Sequence, residues 1–234
     1  MLILFVTGTV SLVLVIISFG YLREFTTQYI TKYTSRFILF IMGYRGNYPP
    51  VSSYPKRSVF YTFNHNSDLD VLLLTALGLP NTRFLLSERT WVYIPIAIMA
   101  IAMGTYYIPE KKHAKRRLKF FIRTTEKLKR NGLSFAGSSE GVHKHDHYIA
   151  PFNRGVYHMA MEVGLPVHCL FIYIPKQNNI LYGRYAKAGT VSVETLARVD
   201  TSSWSLENLD EHIDHVRNLY VSRFNELNPN EPTT

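Results

Sequence analysis

VFYTFNHNSDLD, from Val59 to Asp70, joins two kinds of sequence end to end. Val59 to Phe63 is β-branched and aromatic, the composition of a strand. It runs straight into two asparagines, a histidine, a serine and two aspartates. Polar groups packed this closely cannot all be buried unpaired, because each unsatisfied one costs about 1–3 kcal/mol. They either cap a following helix or carry chemistry. On an ideal helix His65 and Asp70 would lie roughly 140° apart, so they meet only if His65 lies in the turn and Asp70 in the first turns of the helix. Asp68 fits a simple helical spacing just as well. A carboxylate on the far nitrogen of an imidazole holds a general base in its working tautomer. A capping aspartate beside a surface histidine would leave the same letters.

Outward from this stretch, strand-like and helix-like segments alternate. Val59–Phe63, Arg83–Ser87, Thr105–Ile108, Leu133–Ala136 and Val167–Ile174 read as strands. Helices fit at 68–78, 91–103, 112–130 and 154–163, with a last one near 206–227. The alternation predicts an α/β fold, a mostly parallel sheet flanked by helices. GNYPPVSSYPK, with three prolines and a glycine, marks the boundary before it. The chain therefore divides into an anchor with an interfacial helix (1–46), an α/β domain (47–228) and a disordered tail (229–234).

Residues 1–22 carry no charged side chain and are mostly Leu, Ile, Val and Phe. A helix spans a bilayer with about 20 such residues, and no basic n-region or cleavage site marks a secretory signal. The expectation is an N-terminal membrane-anchoring helical segment. Arg23, Lys32, Arg36 and Arg45 then put the domain, and any active site on it, on the cytoplasmic side. SRFILFIMGYRG is too short to span and reads as an interfacial helix.

The chain has 26 Lys and Arg against 17 Asp and Glu, a net charge of +9. That favours anionic partners: lipid headgroups, phosphorylated substrates, acidic carrier proteins or nucleic acid. Nucleic acid rests on charge alone, and the anchor speaks against it. The single cysteine, Cys169, excludes an intramolecular disulfide and fits a reducing compartment. Within the helix at 112–130, Leu118, Phe121, Ile122 and Leu128 form one face, surrounded by Lys115, Arg116, Arg117, Lys119, Arg123, Lys127, Lys129 and Arg130, a pattern suited to a membrane surface or an acidic partner as well as to plain solvation.

Two further motifs fall at expected strand ends. SSEGVH (Ser138–His143) follows Leu133–Ala136, so Glu140 and Gly141 lie where α/β sheets place their sites. Pro166 opens the last of the predicted strands, a position proline tolerates. Together the motifs resemble the glycerolipid acyltransferase family, which includes the 1-acylglycerol-3-phosphate acyltransferases. NHNSDLD resembles its first block through Asn64, His65, Ser67 and Asp70, as His-x4-Asp. GTYYIPEKK resembles the second through Gly104 and Ile108. EGVH resembles the third through Glu140 and Gly141, and FNRGVYHMAMEVGLPVHCL resembles the approach to the fourth through Phe152, Arg154, Gly155 and Pro166.

The resemblance implies direct acyl transfer. His65, held by Asp70, takes the proton of an acceptor hydroxyl, which attacks an acyl thioester without a covalent enzyme intermediate. Loop N–H groups would steady the oxyanion. Acyl-CoA or acyl carrier protein is the implied co-substrate and no cofactor is implied. The acceptor is a lysophospholipid, with 1-acylglycerol-3-phosphate giving phosphatidic acid. Two departures bear on that acceptor. Glu110 stands where the second block has arginine, with Lys111 and Lys112 beyond it. His143 stands where the third block has arginine, and the family associates both arginines with the acceptor's phosphate. His143, Lys111 and Lys112 are the replacement candidates. The same chemistry on another lyso-lipid is one alternative. A zinc-dependent hydrolase using His143, His145 and His147, which would share one face of an extended strand, is a more distant one.

Overall fold

A computed structural model of the chain describes residues 1–65, 67–141, 148–179 and 187–230. Its centre is one sheet, whose described strands are β1 (Tyr44–Asn47), β2 (Phe60–Phe63), β3 (Thr82–Ser87), β4 (Tyr106–Ile108), β5 (Ser134–Ser138), β6 (Val167–Tyr173) and β7 (Gly189–Val199), in the order β1-β7-β6-β2-β5-β3-β4. All neighbours run parallel except β6 and β7. β2 is central, with Phe60 opposite Phe135 of β5 on one side and Val167 of β6 on the other. Parallel neighbours cannot be joined by tight turns, so helices must cross between them and cover both faces.

One face carries α1 (Leu2–Ile17), α3 (Lys32–Ile41), α4 (Asp70–Thr75) and α5 (Ile94–Ala102), packed on Tyr61, Phe63, Phe84 and Ile172. α2 (Arg23–Phe25) and a π-helical turn, Thr26–Thr31, lead into α3. The other face carries α6 (Ala114–Asn131), α7 (Arg154–Val163) and α8 (Leu209–Leu227), packed on Phe60, Phe135, Cys169 and Phe171. Phe60 and Tyr61 thus point into opposite cores, as period two requires. The α/β fold with a mostly parallel sheet is as expected. β1 and β7 are additions for which the sequence reading had no strand, and β1 lies across its 46/47 boundary.

The expected membrane-anchoring segment finds no support in a spanning helix. Among the described residues no helix is long and apolar enough to cross a membrane. The uncharged run breaks at Phe19 (φ 50°) and Gly20 (φ 92°), left-handed positions that an α-helix cannot continue through. What remains is 16 residues, about 24 Å at 1.5 Å per residue against a hydrocarbon core of roughly 30 Å. Leu4, Gly8, Ser11 and Val15 form its buried stripe, and α1 is laid along α5 through it. Val6, Val10, Val13 and Ile16 face outward and are exposed.

Candidate active site

His65 lies just past the C-terminal end of β2, where open parallel sheets place their ligands. The ends of β3 (Ser87), β4 (Ile108) and β5 (Ser138) open into the same space. The turn carrying His65 is fixed from below by Asn64. That buried side chain donates from Nδ2 to the Ile172 carbonyl (2.9 Å) and accepts the Ile172 N–H at Oδ1 (2.8 Å), extending the β2–β6 ladder by side chain where the backbone turns away. The Ser67 Oγ accepts the Leu69 N–H at 3.2 Å and tightens the turn into α4.

Asp70, fully buried, opens α4. Its Oδ2 accepts the Ser67 N–H at 3.0 Å and lies 2.8 Å from His65 Nδ1. The turn thus resolves the geometry that the letters left open, with His65 in the loop and Asp70 in the first helical turn. Asp68 is exposed in between and reaches His65 only through its charge. With Nδ1–H given to the carboxylate, the lone pair is on Nε2. Burial pulls the His65 pKa down, but the hydrogen bond and charge of Asp70, with the charges of Glu140 and Asp68, outweigh it, and the net shift is upward.

Glu140 is buried beside this pair. Its Oε1 accepts the His65 N–H (2.9 Å) and its Oε2 the Ala150 N–H (3.1 Å), so it ties the histidine's backbone to the segment leading into α7. Burial pushes its carboxyl up to about 7 against the pull of those two N–H groups and of His65. Gly141 follows at φ 75°, and a Cβ there would come 2.6 Å from Asn153 Nδ2, so the close approach of the two loops needs glycine.

Two spaces meet at His65. One is an apolar cavity of about 130 Å³ between sheet and α5, lined by Phe63, Leu74, Phe84, Ile96, Met99 and Met103. The other is a groove of about 420 Å³ bordered by Arg89, Glu110, Lys111, Lys112 and Arg117. Glu110, at the position of the family's arginine, is 2.9 Å from Arg89 and 3.5 Å from Lys112, and those cations hold its carboxyl below the usual range. Arg117 differs. It is half-buried, donates to the Pro109 carbonyl at 2.9 Å and stands over the Phe121 ring, and among the described residues no carboxylate pairs with it. Burial lowers its pKa.

The structure therefore brings together His65, Asp70, Asn64, Ser67, Glu140, Gly141, Lys111 and Lys112. Other residues singled out in the sequence lie elsewhere. Arg154 pairs with Asp210 at 2.6 Å and donates to the Leu206 carbonyl, bracing α7 against α8. Pro166 accepts the Phe60 N–H through its carbonyl, at the opposite end of β2 from His65. Gly104 turns α5 into β4 against the Arg23 and Arg83 guanidiniums. His143, and with it the His143-His145-His147 cluster, lies outside the described residues. Arg89, Arg117 and Asn153 were missed. Arg117 was legible only as one cation among many on a basic helix, since its direction depends on how α6 packs.

Comparisons with known proteins bear on the family and the fold. Residues 47–173 match the family described as Acyltransferase. The 1-acyl-sn-glycerol-3-phosphate acyltransferase of Limnanthes douglasii is 20% identical over 179 residues, 73% of this chain and 60% of that protein. Its namesake from Cocos nucifera is 19% identical over 200 residues, 82% and 62%, and that from Haemophilus influenzae is 21% identical over 168 residues, 71% and 68%. This chain thus matches about 60% of the length of the two plant relatives. The crystal structure of the 1-acyl-sn-glycerophosphate (LPA) acyltransferase PlsC from Thermotoga maritima superposes with a TM-score of 0.66 over 98% of both chains at 18% identity, a likeness of fold. With the match covering over half its length, this chain belongs to the acyltransferase family.

Proposed function

We propose that the protein is a membrane-associated O-acyltransferase. It moves a fatty acyl group from acyl-CoA or acyl carrier protein to the hydroxyl of a lysophospholipid, with 1-acylglycerol-3-phosphate as acceptor and phosphatidic acid as product. The observation that carries this reading is the placement of a carboxylate-held imidazole where an apolar cavity meets a cation-bordered groove. The cavity suits an acyl chain. The groove suits an anionic headgroup, with Arg117 as its half-buried cation without a carboxylate partner among the described residues. His65 Nε2 takes the acceptor's hydroxyl proton as that oxygen attacks the thioester carbonyl. The tetrahedral intermediate then expels the thiolate, which recovers the proton from the imidazolium. Glu140 is the positioning residue that fixes the His65 backbone.

Membrane association in this reading is by apolar faces lying on one leaflet rather than by a span. The exposed side chains of α1, with Phe37 and Phe40 of α3, supply such a face. The single buried cysteine suits the cytoplasmic side. The test is to offer a panel of lyso-lipids with labelled acyl-CoA or acyl carrier protein and to identify the products by mass. Phosphatidic acid as the dominant product supports the reading. Preference for zwitterionic or neutral lyso-lipids would instead make Glu110 the mark of a changed acceptor. Transfer from neither donor to any member would overturn it.

A further inference from the structure

Between the groove and α5 the chain reads Trp91-Val92-Tyr93-Ile94, and all four side chains are exposed, by 50, 75, 58 and 61%. The turn that presents them is firmly built. Ser87 Oγ accepts the Arg89 N–H at 3.3 Å, the Thr90 hydroxyl donates to the Ser87 carbonyl at 2.8 Å, and the Trp91 ring packs on Tyr107 at 4.8 Å between centroids. These apolar groups are therefore held outward by structure.

Their neighbours are informative. Thr90 and Ile96, on either side of the turn, line the apolar cavity with His65, so the turn is the rim of that cavity. Arg89, Lys111 and Lys112 border the groove beside it, and with Arg116 they outnumber the two carboxylates among them, Glu88 and Glu110. α5 starts at Ile94 and carries α1, whose outer face is also apolar.

We propose that Trp91–Ile94 is a lip seated in a lipid bilayer with anionic headgroups, which sets the mouth of the apolar cavity at the level of the acyl chains. Tryptophan and tyrosine settle at the headgroup level of membranes. Valine and isoleucine reach the hydrocarbon beyond it, and a basic collar meets anionic headgroups. A second copy of the chain could also cover an apolar turn, but it would not account for a cavity for hydrocarbon opening at its rim. The proposal rests on the preceding reading for the lipid nature of the substrate and for membrane association, and adds the segment that enters the bilayer.

The chain supplies its own reporter. Of its two tryptophans, Trp204 is 7% exposed within the core beneath α7 and α8. The full-length protein is mixed with vesicles of phosphatidylcholine and phosphatidylglycerol, with or without bromine on the acyl chains. Trp91 emission should shift to the blue and be strongly quenched by the brominated lipid, and Trp91→Phe should abolish both signals. Val92→Asp should weaken vesicle partition by about 10-fold, the value of burying one such side chain, with unchanged melting because the position faces water. The lip is refuted if vesicles hold the protein while Trp91 emission stays unshifted and unquenched. It is equally refuted if Val92→Asp leaves partition intact, or if that change converts a dimer to a monomer. Quenching reads contact without turnover, so the lip and the acceptor assignment stand or fall separately.

Discussion

The two helical layers that sandwich the sheet are finished in opposite ways. The layer of α1, α3, α4 and α5 turns large apolar side chains outward, including Val10, Val13, Ile16, Phe37 and Phe40. The layer of α6, α7 and α8 exposes only Leu118 and Ile122 of that kind, on a helix otherwise dominated by Lys and Arg. The cavity at His65 opens from the first layer and the groove from the second. Exposed apolar surface on this scale marks an interaction face, and exposed cations mark an anionic partner. A molecule with a hydrocarbon tail and an anionic head would lie across the seam, with its reacting oxygen near the imidazole.

The largest effect should come from removing the group on the seam. His65→Ala should lower turnover by about 10²–10⁴-fold with the protein still folded, the melt falling only as far as buried Asp70 losing its imidazole partner requires, since the ring is partly exposed and the Asn64 bonds to Ile172 remain. Asp70→Asn should also cut turnover and, by removing the main upward influence on His65, move the pH midpoint of activity downward. Asp68→Asn should change turnover little. If Asp68→Asn is the more harmful of the two, the His-x4-Asp assignment fails.

Next comes the buried carboxylate beneath the seam. Glu140 ionises near 4.5 in an unfolded chain but at about 7 in the fold. Between those values the unfolded state has released its proton and the native state has not, so stability falls as pH rises through the window, by about 3 kcal/mol. His65 has the same sign, because a raised histidine pKa contributes stability below its unfolded value that is lost as pH rises. Glu140→Gln should flatten the pH dependence of denaturant unfolding across the window. It should also cost about 1–3 kcal/mol at low pH, because one of two backbone N–H groups loses its acceptor. A wild-type curve that instead rises with pH there would overturn the assignment.

The smallest effects separate the layers directly. Arg117→Ala should raise KM for a phosphate-bearing acceptor by about 10–100-fold, the value of a charge-assisted hydrogen bond, with little change for an uncharged acceptor and only a small drop in melting from its lost contacts to Pro109 and Phe121. An equal loss on both acceptors would reduce Arg117 to a prop for Phe121 and Pro109. Gly8→Leu, where even a Cβ would come 3.3 Å from the Met99 N, should lift α1 from α5 and cost about 1–3 kcal/mol of stability. It should leave the preference between headgroups untouched. Crossed results would mean that the two layers do not serve separate ends of the substrate.

The sequence by itself determined the α/β class and the crossing helices, because both are written in short-range terms of period-two and period-3.6 patterning, and it narrowed the partner of His65 to Asp68 or Asp70, between which the fold of the turn chose Asp70. β7 has an alternating stretch in Val191-Ser192-Val193-Glu194, but it pairs antiparallel to β6 and so breaks the alternating rhythm that revealed the other strands. Tertiary structure alone decided the rest. An uncharged run of 22 letters became a 16-residue helix laid on α5 because left-handed turns at Phe19 and Gly20 end it and a stripe of small and apolar residues docks it. Among many cations, Arg117 alone is half-buried in the groove without a described carboxylate, because the roll of α6 on the sheet sets its direction. Which charges are neutralised and which apolar faces stay uncovered depends on partners far away in the chain, and no local pattern carries that information.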